Sequence, residues 1–248
     1  MKVLPSASLL AAVLLLTGCM YPQEERSRNH GPNQEQLDRV QSAVDQFHEN
    51  RGVLPIATRD ADTPIFQRYP IEFSQIVPSY MSEPPGNAFE NGGDYLYVLT
   101  HVEEEPQAGL IDLGTTSTIQ ELERNIHDYR AQHDYAPVDE IVGNELLLLD
   151  FDALGYEEPP TVASPFHPDH RLPLLYTTQG DVIIDYSLDI EYYVEEYGAD
   201  SIDDEDLRWL LVEHAPFVPA YSMPQKQSGG DIVFFDEESG EEISQAAE

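Results

Sequence analysis

Leu37, Val40, Val44 and Phe47 stand at i, i+3, i+7 and i+10, the spacing of one apolar stripe on a helix. Asp38, Arg39, Gln41, Asp45 and Glu49 fill the opposite face, and Gly52 and Pro55 supply the stop. The pattern predicts an amphipathic helix that begins at Gln34. Asp60, Asp62 and Pro64 then mark a loop that leads to a short apolar segment, Ile71-Glu72-Phe73-Ser74-Gln75-Ile76. Pro84-Pro85-Gly86-Asn87 is a turn signal. After Gly92-Gly93 comes Tyr95-Leu96-Tyr97-Val98-Leu99, a run rich in strand formers.

The same plan recurs. Ile119, Leu122, Ile126 and Tyr129 repeat the helical stripe, each 82 positions after its counterpart, and Pro137 stands 82 after Pro55. Leu149-Asp150-Phe151-Asp152-Ala153-Leu154 matches the apolar segment at an offset of 78, and Ser164-Pro165-Phe166-His167-Pro168 corresponds loosely to the proline turn. Leu174-Leu175-Tyr176 and Asp181-Val182-Ile183-Ile184 read as strands of a hairpin turning at Gln179-Gly180. This order is consistent with an internal duplication.

The C-terminal third lacks such a partner. Ser187 stands where it would cap a helix through Ile190, Tyr193, Val194 and Tyr197, which Gly198 ends. Ser201 stands before a second helix with Leu207, Trp209, Leu210 and Leu211 as its apolar surface. Residues 215–224 carry prolines at 216, 219 and 224 and cannot be helical. The last twelve residues are acidic, and a mobile end is expected there. The expected fold is α+β: two units, each a helix with antiparallel strands, under a C-terminal helical cap. A single α/β domain without duplication is the runner-up.

The N-terminus changes the picture from fold to place. Lys2 is the one charge among the first 18 residues, and an apolar run from Leu9 to Leu16 precedes Thr17-Gly18-Cys19. The layout is that of a signal peptide, with an apolar core too short for a permanent span. Leu16-Thr17-Gly18-Cys19 resembles a bacterial lipobox, in which the cysteine accepts a diacylglycerol and becomes the first mature residue. Two acyl chains hold a protein at a membrane stably, where one does so only marginally. The expected organisation is a lipoprotein signal peptide 1–18, a tether 19–33, a first unit 34–105, a second 106–186, a helical cap 187–225 and an acidic tail 226–248.

Composition narrows the partners. The chain holds 47 acidic and 12 basic residues, a formal charge of −35, and loss of Lys2 with the leader makes it −36. Nucleic acid and anionic lipid faces would be repelled by such a surface. The acidic residues run through the whole chain, and with 41% hydrophobic residues, 14 Tyr and 9 Phe it has the composition of a folded protein. Salt screens carboxylate repulsion, so a halophilic setting is expected. Cys19 is the only cysteine, so lipidation would leave the mature fold without disulfide or thiol chemistry.

Two resemblances follow from these motifs. Residues 37–99, with Gly52-Val53-Leu54-Pro55 closing a helix before a Pro-containing turn and a Tyr-rich strand, resemble the globular half of a pseudopilin. The long apolar assembly helix of that family is replaced here by the lipobox and tether, so pilus formation is not implied. From about Leu37 to Tyr193 the chain is similar to the YphF-like lipoproteins of Bacillus relatives. The similarity runs through GVLPI, DADTPI, PPGNAF, LLLLDFDALGY and LLYTTQGDVIIDYSLDIEYY. That resemblance implies the compartment and carries no catalytic residues, although members have been labelled solute-binding components of ABC transporters.

Little else in the chain points to chemistry. Asp60-x-Asp62 and Asp150-x-Asp152 lack the further oxygen ligands, central glycine and closing glutamate of an EF-hand loop, and read as turn carboxylates. His167-Pro168-Asp169-His170 sits in an extended turn with no HExxH or cysteine partner to complete a zinc set. No GxSxG elbow is present. Tyr192, Tyr193, Trp209 and Tyr221 are the candidate recognition surface, since such rings join a large apolar body to a polar tip. No catalytic residue, metal or cofactor is expected. The expected protein is a lipid-anchored extracytoplasmic binding or assembly protein, held by Cys19 and partnered in the envelope. The alternative is a solute-binding lipoprotein of an ABC transporter, with a cleft between the two units. A hydrolase ranks third, because fold never excludes activity.

Overall fold

A computed structural model describes residues 34–57, 59–202, 204–237 and 239–243. The leader, Cys19 and the tether lie outside the described residues. Helix α1, Gln34–Arg51, buries Leu37, Val40, Val44 and Phe47, the stripe expected from their spacing, and Ala43 beside them. The segment 71–76 proves to be a bridge from Ile71 to Ile56 followed by one turn of helix, α2, Phe73–Ile76. Among the described residues no helix is long and apolar enough to cross a membrane.

Strand β1, Tyr95–Thr100, pairs antiparallel with β2, Gln107–Asp112, in register from Tyr95↔Asp112 to Thr100↔Gln107. The expected unit boundary between 105 and 106 therefore cuts a hairpin, because both strands bury the same first core. Gly109 on β2 admits the Pro-rich segment: a Cβ there would lie 2.7 Å from Val218 Cγ1. That closeness lets the Leu110 N–H donate to the Pro216 carbonyl and the Val218 N–H to the Leu110 carbonyl. The stretch that prolines bar from helix thus serves as an extended edge.

Asp112 Oδ1 accepts the Gly114 N–H and so starts α3, Leu113–His133, which buries Ile119, Leu122 and Ile126. Tyr129, the fourth member of the expected stripe, remains part-exposed and stacks on His133. The second sheet comprises β3, Val138–Ile141; β4, Leu146–Leu149; β5, Thr161–Ala163; β6, Arg171–Thr177; and β7, Val182–Ile184. All pairs are antiparallel: β4 and β5 meet opposite halves of β6, and β7 pairs with β6 as the Gln179-Gly180 turn predicts. Helix-then-strands is thus the order of both units, but the first has a two-stranded sheet with isolated bridges and the second has five strands. This shared order does not establish a duplication.

Helices α4, Ser187–Tyr197, and α5, Arg208–His214, set Ile190, Tyr193, Leu210 and Leu211 into the main core, giving the expected helical cap. Neither expected serine caps its helix. Ser187 lies inside α4 and donates to Asp185 Oδ1, while the Ser201 hydroxyl donates to the Gly198 carbonyl. The expected acidic tail is corrected too. Strands β8, Gln225–Ser228, and β9, Asp231–Phe234, form a hairpin around Gly229-Gly230, and Phe234 and Ile243 pack on Leu146, Leu175 and Ile183. The apolar run Ile232-Val233-Phe234-Phe235 is what the outer face of the second sheet requires for cover.

Candidate functional site

Helix α4 carries Asp189, Tyr193 and Tyr197 at four-residue intervals, so one face holds a carboxylate and two rings. The Asp189 side chain is wholly buried and needs partners there. It accepts the Ser164 Oγ–H at 2.7 Å and lies 2.6 Å from His170 Nδ1. Burial pushes its carboxyl above the usual range, and the bonds from Ser164 and His170 pull it back. Ser164 Oγ also accepts the N–H groups of Phe166 and His167, folding the 164–170 loop around one oxygen. The hydroxyl is directed at the carboxylate rather than at an imidazole, so it clips the loop to the helix and is not set up as a Ser–His nucleophile.

The loop and helix together build a ledge of rings. His167 stacks on His170 with centroids 4.0 Å apart, and the Tyr192 edge meets His167 at 4.8 Å. Tyr192 touches Tyr193, Tyr193 touches Tyr197, and Tyr197 stacks on His214 of α5 at 3.7 Å with the planes 5° apart. Tyr192 and Tyr197 are 40% and 41% exposed, whereas Tyr193 is a buried floor. Glu191, Glu195 and Glu196 stand exposed on the same helix. The Glu196 charge raises the Tyr192 phenol above its ordinary value, so the ring stays neutral and keeps its O–H. The ledge combines π faces, hydroxyls and a carboxylate border, a chemistry suited to binding a cation.

The four rings singled out in the sequence do not converge. Tyr192 and Tyr193 belong to the ledge. Trp209 packs instead on Phe66 at 4.8 Å and His101 at 4.6 Å, in a separate apolar cluster. Tyr221 takes a left-handed backbone, its N–H donating to Gln67 Oε1 and its carbonyl accepting from Ile184. Tyr221 is therefore a brace between segments. The ledge members Asp189 and His214 escaped the sequence reading, and His170 entered it only as part of an incomplete metal set, although a carboxylate on the apolar face of α4 was a usable signal. Among the described residues no group of three or more His, Cys, Asp and Glu could hold a metal. Asp150 Oδ1 accepts the Ala153 N–H in a turn. A cleft of about 580 Å³ opens where α1, the start of β2 and residues 212–218 meet, with Asp38, Asp45, Glu105 and Glu213 among its lining.

Residues 33–112 match the model of the YphF family N-terminal domain. The match covers about a third of the chain. It runs from α1 to the last residue of β2, so the β1–β2 hairpin lies wholly inside it. The matched stretch supplies α1, part of the acidic cleft and the strand edge on which residues 216–218 lie, while the ring ledge belongs to the following part of the chain. The expected resemblance over 113–193 falls beyond the matched residues. No curated protein and no solved structure matches the chain.

Proposed function

We propose that the protein is a lipid-anchored extracytoplasmic binding protein that presents the α4 ledge to a cationic segment of another envelope protein. The exposed, contiguous rings bordered by Glu191, Glu195 and Glu196 carry this reading. Lys or Arg side chains gain about 0.5–1 kcal/mol on each exposed ring, and the carboxylates add attraction. Tyr192→Ala with Tyr197→Ala, both exposed helical positions, should therefore weaken binding of an Arg/Lys-rich peptide by about five- to thirtyfold. Fluorescence titration reads the change. Equal affinity for the parent and the double variant would remove the ledge from the function.

Anchoring rests on Leu16-Thr17-Gly18-Cys19. Cys19→Ala should leave the precursor uncleaved or release the protein from the membrane fraction, as read by immunoblot after fractionation. A variant still cleaved and extracted with detergent like its parent would refute the lipid acceptor. The second reading, a solute-binding lipoprotein, draws on the cleft beside α1. It lies between the matched stretch 33–112 and residues 212–218 rather than between the two expected units, and its carboxylates suit a small cationic solute. A thermal shift with such a solute but none with cationic peptide would favour it.

A further inference from the structure

We infer that the cleft between α3 and the β6–β7 turn is a binding site for an extended anion with at least two phosphoryl or carboxylate groups. The cleft is about 590 Å³ and is lined by Arg124, His127 and Arg130 with Tyr176 and Gly180. Three-residue spacing places the three basic side chains along one stripe of α3, spread over about 9 Å of helix axis. The whole chain has 12 Lys and Arg against 47 acidic residues, and this cleft gathers two of those cations and a histidine among Glu123, Asp128 and Asp181. Arginine is the side chain that best recognises phosphoryl and carboxylate oxygens, by paired N–H donors.

The opposite wall is built to leave these donors accessible. Tyr176 is buried, and its hydroxyl accepts from Arg130 Nη1 at 3.4 Å, which orients the guanidinium and leaves the phenolic proton for a ligand oxygen. Gly180 has a φ of +102°, and a Cβ there would stand 3.5 Å from the Tyr176 hydroxyl and 3.9 Å from Arg130 Nη1. Glycine both permits the turn and keeps a side chain out of the mouth. Glu123 bonds to the Val182 backbone, fastening α3 to the turn, and its burial pushes the carboxyl upward, the nearby Asp181 adding to the rise and Arg124 opposing it. Glu123, Asp128 and Asp181 all line the cleft and repel any anion. A ligand held by one arginine does not overcome them, whereas one spanning both arginines engages two charge-assisted contacts. That selects length and at least two charged groups.

Calorimetric titration of the full chain in 1 M NaCl tests this, because a Debye length of about 3 Å removes the distant carboxylates from the balance. Tripolyphosphate, citrate and inorganic phosphate are the probes. Saturable one-to-one binding of tripolyphosphate or citrate is expected, at least about tenfold tighter than phosphate, and the tighter of the two separates phosphoryl from carboxylate recognition. Arg124→Gln with Arg130→Gln should weaken it by about tenfold or more, while Arg39→Gln with Arg51→Gln, an equal change of charge on α1, should alter it less than about twofold. The site is overturned by equal losses in the two pairs, by phosphate binding as tightly as the longer anions, or by no saturable binding of any probe.

Discussion

Arg208→Met is expected to destabilise the protein by about 3–5 kcal/mol, because it strands a buried carboxylate. Arg208 and Asp206 are 3% and 4% exposed. Arg208 Nε and Nη2 reach Asp206 at 2.6–3.0 Å, while Nη1 donates to the Ser222 carbonyl and hydroxyl at 2.8 and 3.1 Å. The guanidinium also lies 5.0 Å from the Phe66 ring centre. Asp206 Oδ1 accepts the N–H groups of Arg208 and Gln225, tying the start of α5 to the start of β8. Methionine keeps the stem but removes the countercharge and the donors to Ser222. Urea unfolding should show a lower midpoint at unchanged slope, and the melting temperature should fall by on the order of 10 °C. Adding Asp206→Asn should return part of the loss, since a neutral side chain no longer needs the charge. A loss below about 1 kcal/mol would mean that the pair does not hold the cap to the hairpin.

The second large effect is expected from salt. A formal charge of −35 leaves most carboxylates without a cation to meet, even with Arg208–Asp206 and Lys226–Glu205 paired. Their repulsion acts over a Debye length of about 10 Å at 0.1 M salt and about 3 Å at 1 M. Folding concentrates these charges, so screening stabilises the compact state more than the open chain. The melting temperature should rise by on the order of 10 °C from 0.1 to 2 M NaCl, a few kcal/mol for a chain of this length. KCl should act alike, because the effect is ionic strength. A flat response, or stabilisation by sucrose but not by chloride salts, would refute a self-repelling surface and with it the halophilic reading.

How legible the site was depended on the range of each interaction. Tyr192 stood out because it lies in a dense run of tyrosines, and exposure kept it where a composition argument puts it. Trp209 belongs to the same sequence neighbourhood, but the turn of α5 carries its ring toward Phe66 and His101. His170 looked like an incomplete metal ligand until the fold brought Asp189 to its Nδ1 from 19 residues away. The C-terminal hairpin was hidden for a different reason. Its Gly-Gly turn and four-residue apolar run were present, yet acidic neighbours masked them in an average over the segment.

What the sequence determined by itself is local. Apolar spacing specified α1, most of α3 and β1, the Gln179-Gly180 turn specified the β6–β7 pairing, and prolines kept 215–224 out of helix. These follow from side-chain periodicity and backbone sterics within a few residues. Only the tertiary structure decided the partner of β2, the cover over the second sheet, the burial of Asp189 between Ser164 and His170, and the cleft that collects Arg124 and Arg130. Each depends on groups that are remote in sequence, and a buried polar or apolar group selects its partner by what the packed chain brings within contact distance, which periodicity does not encode.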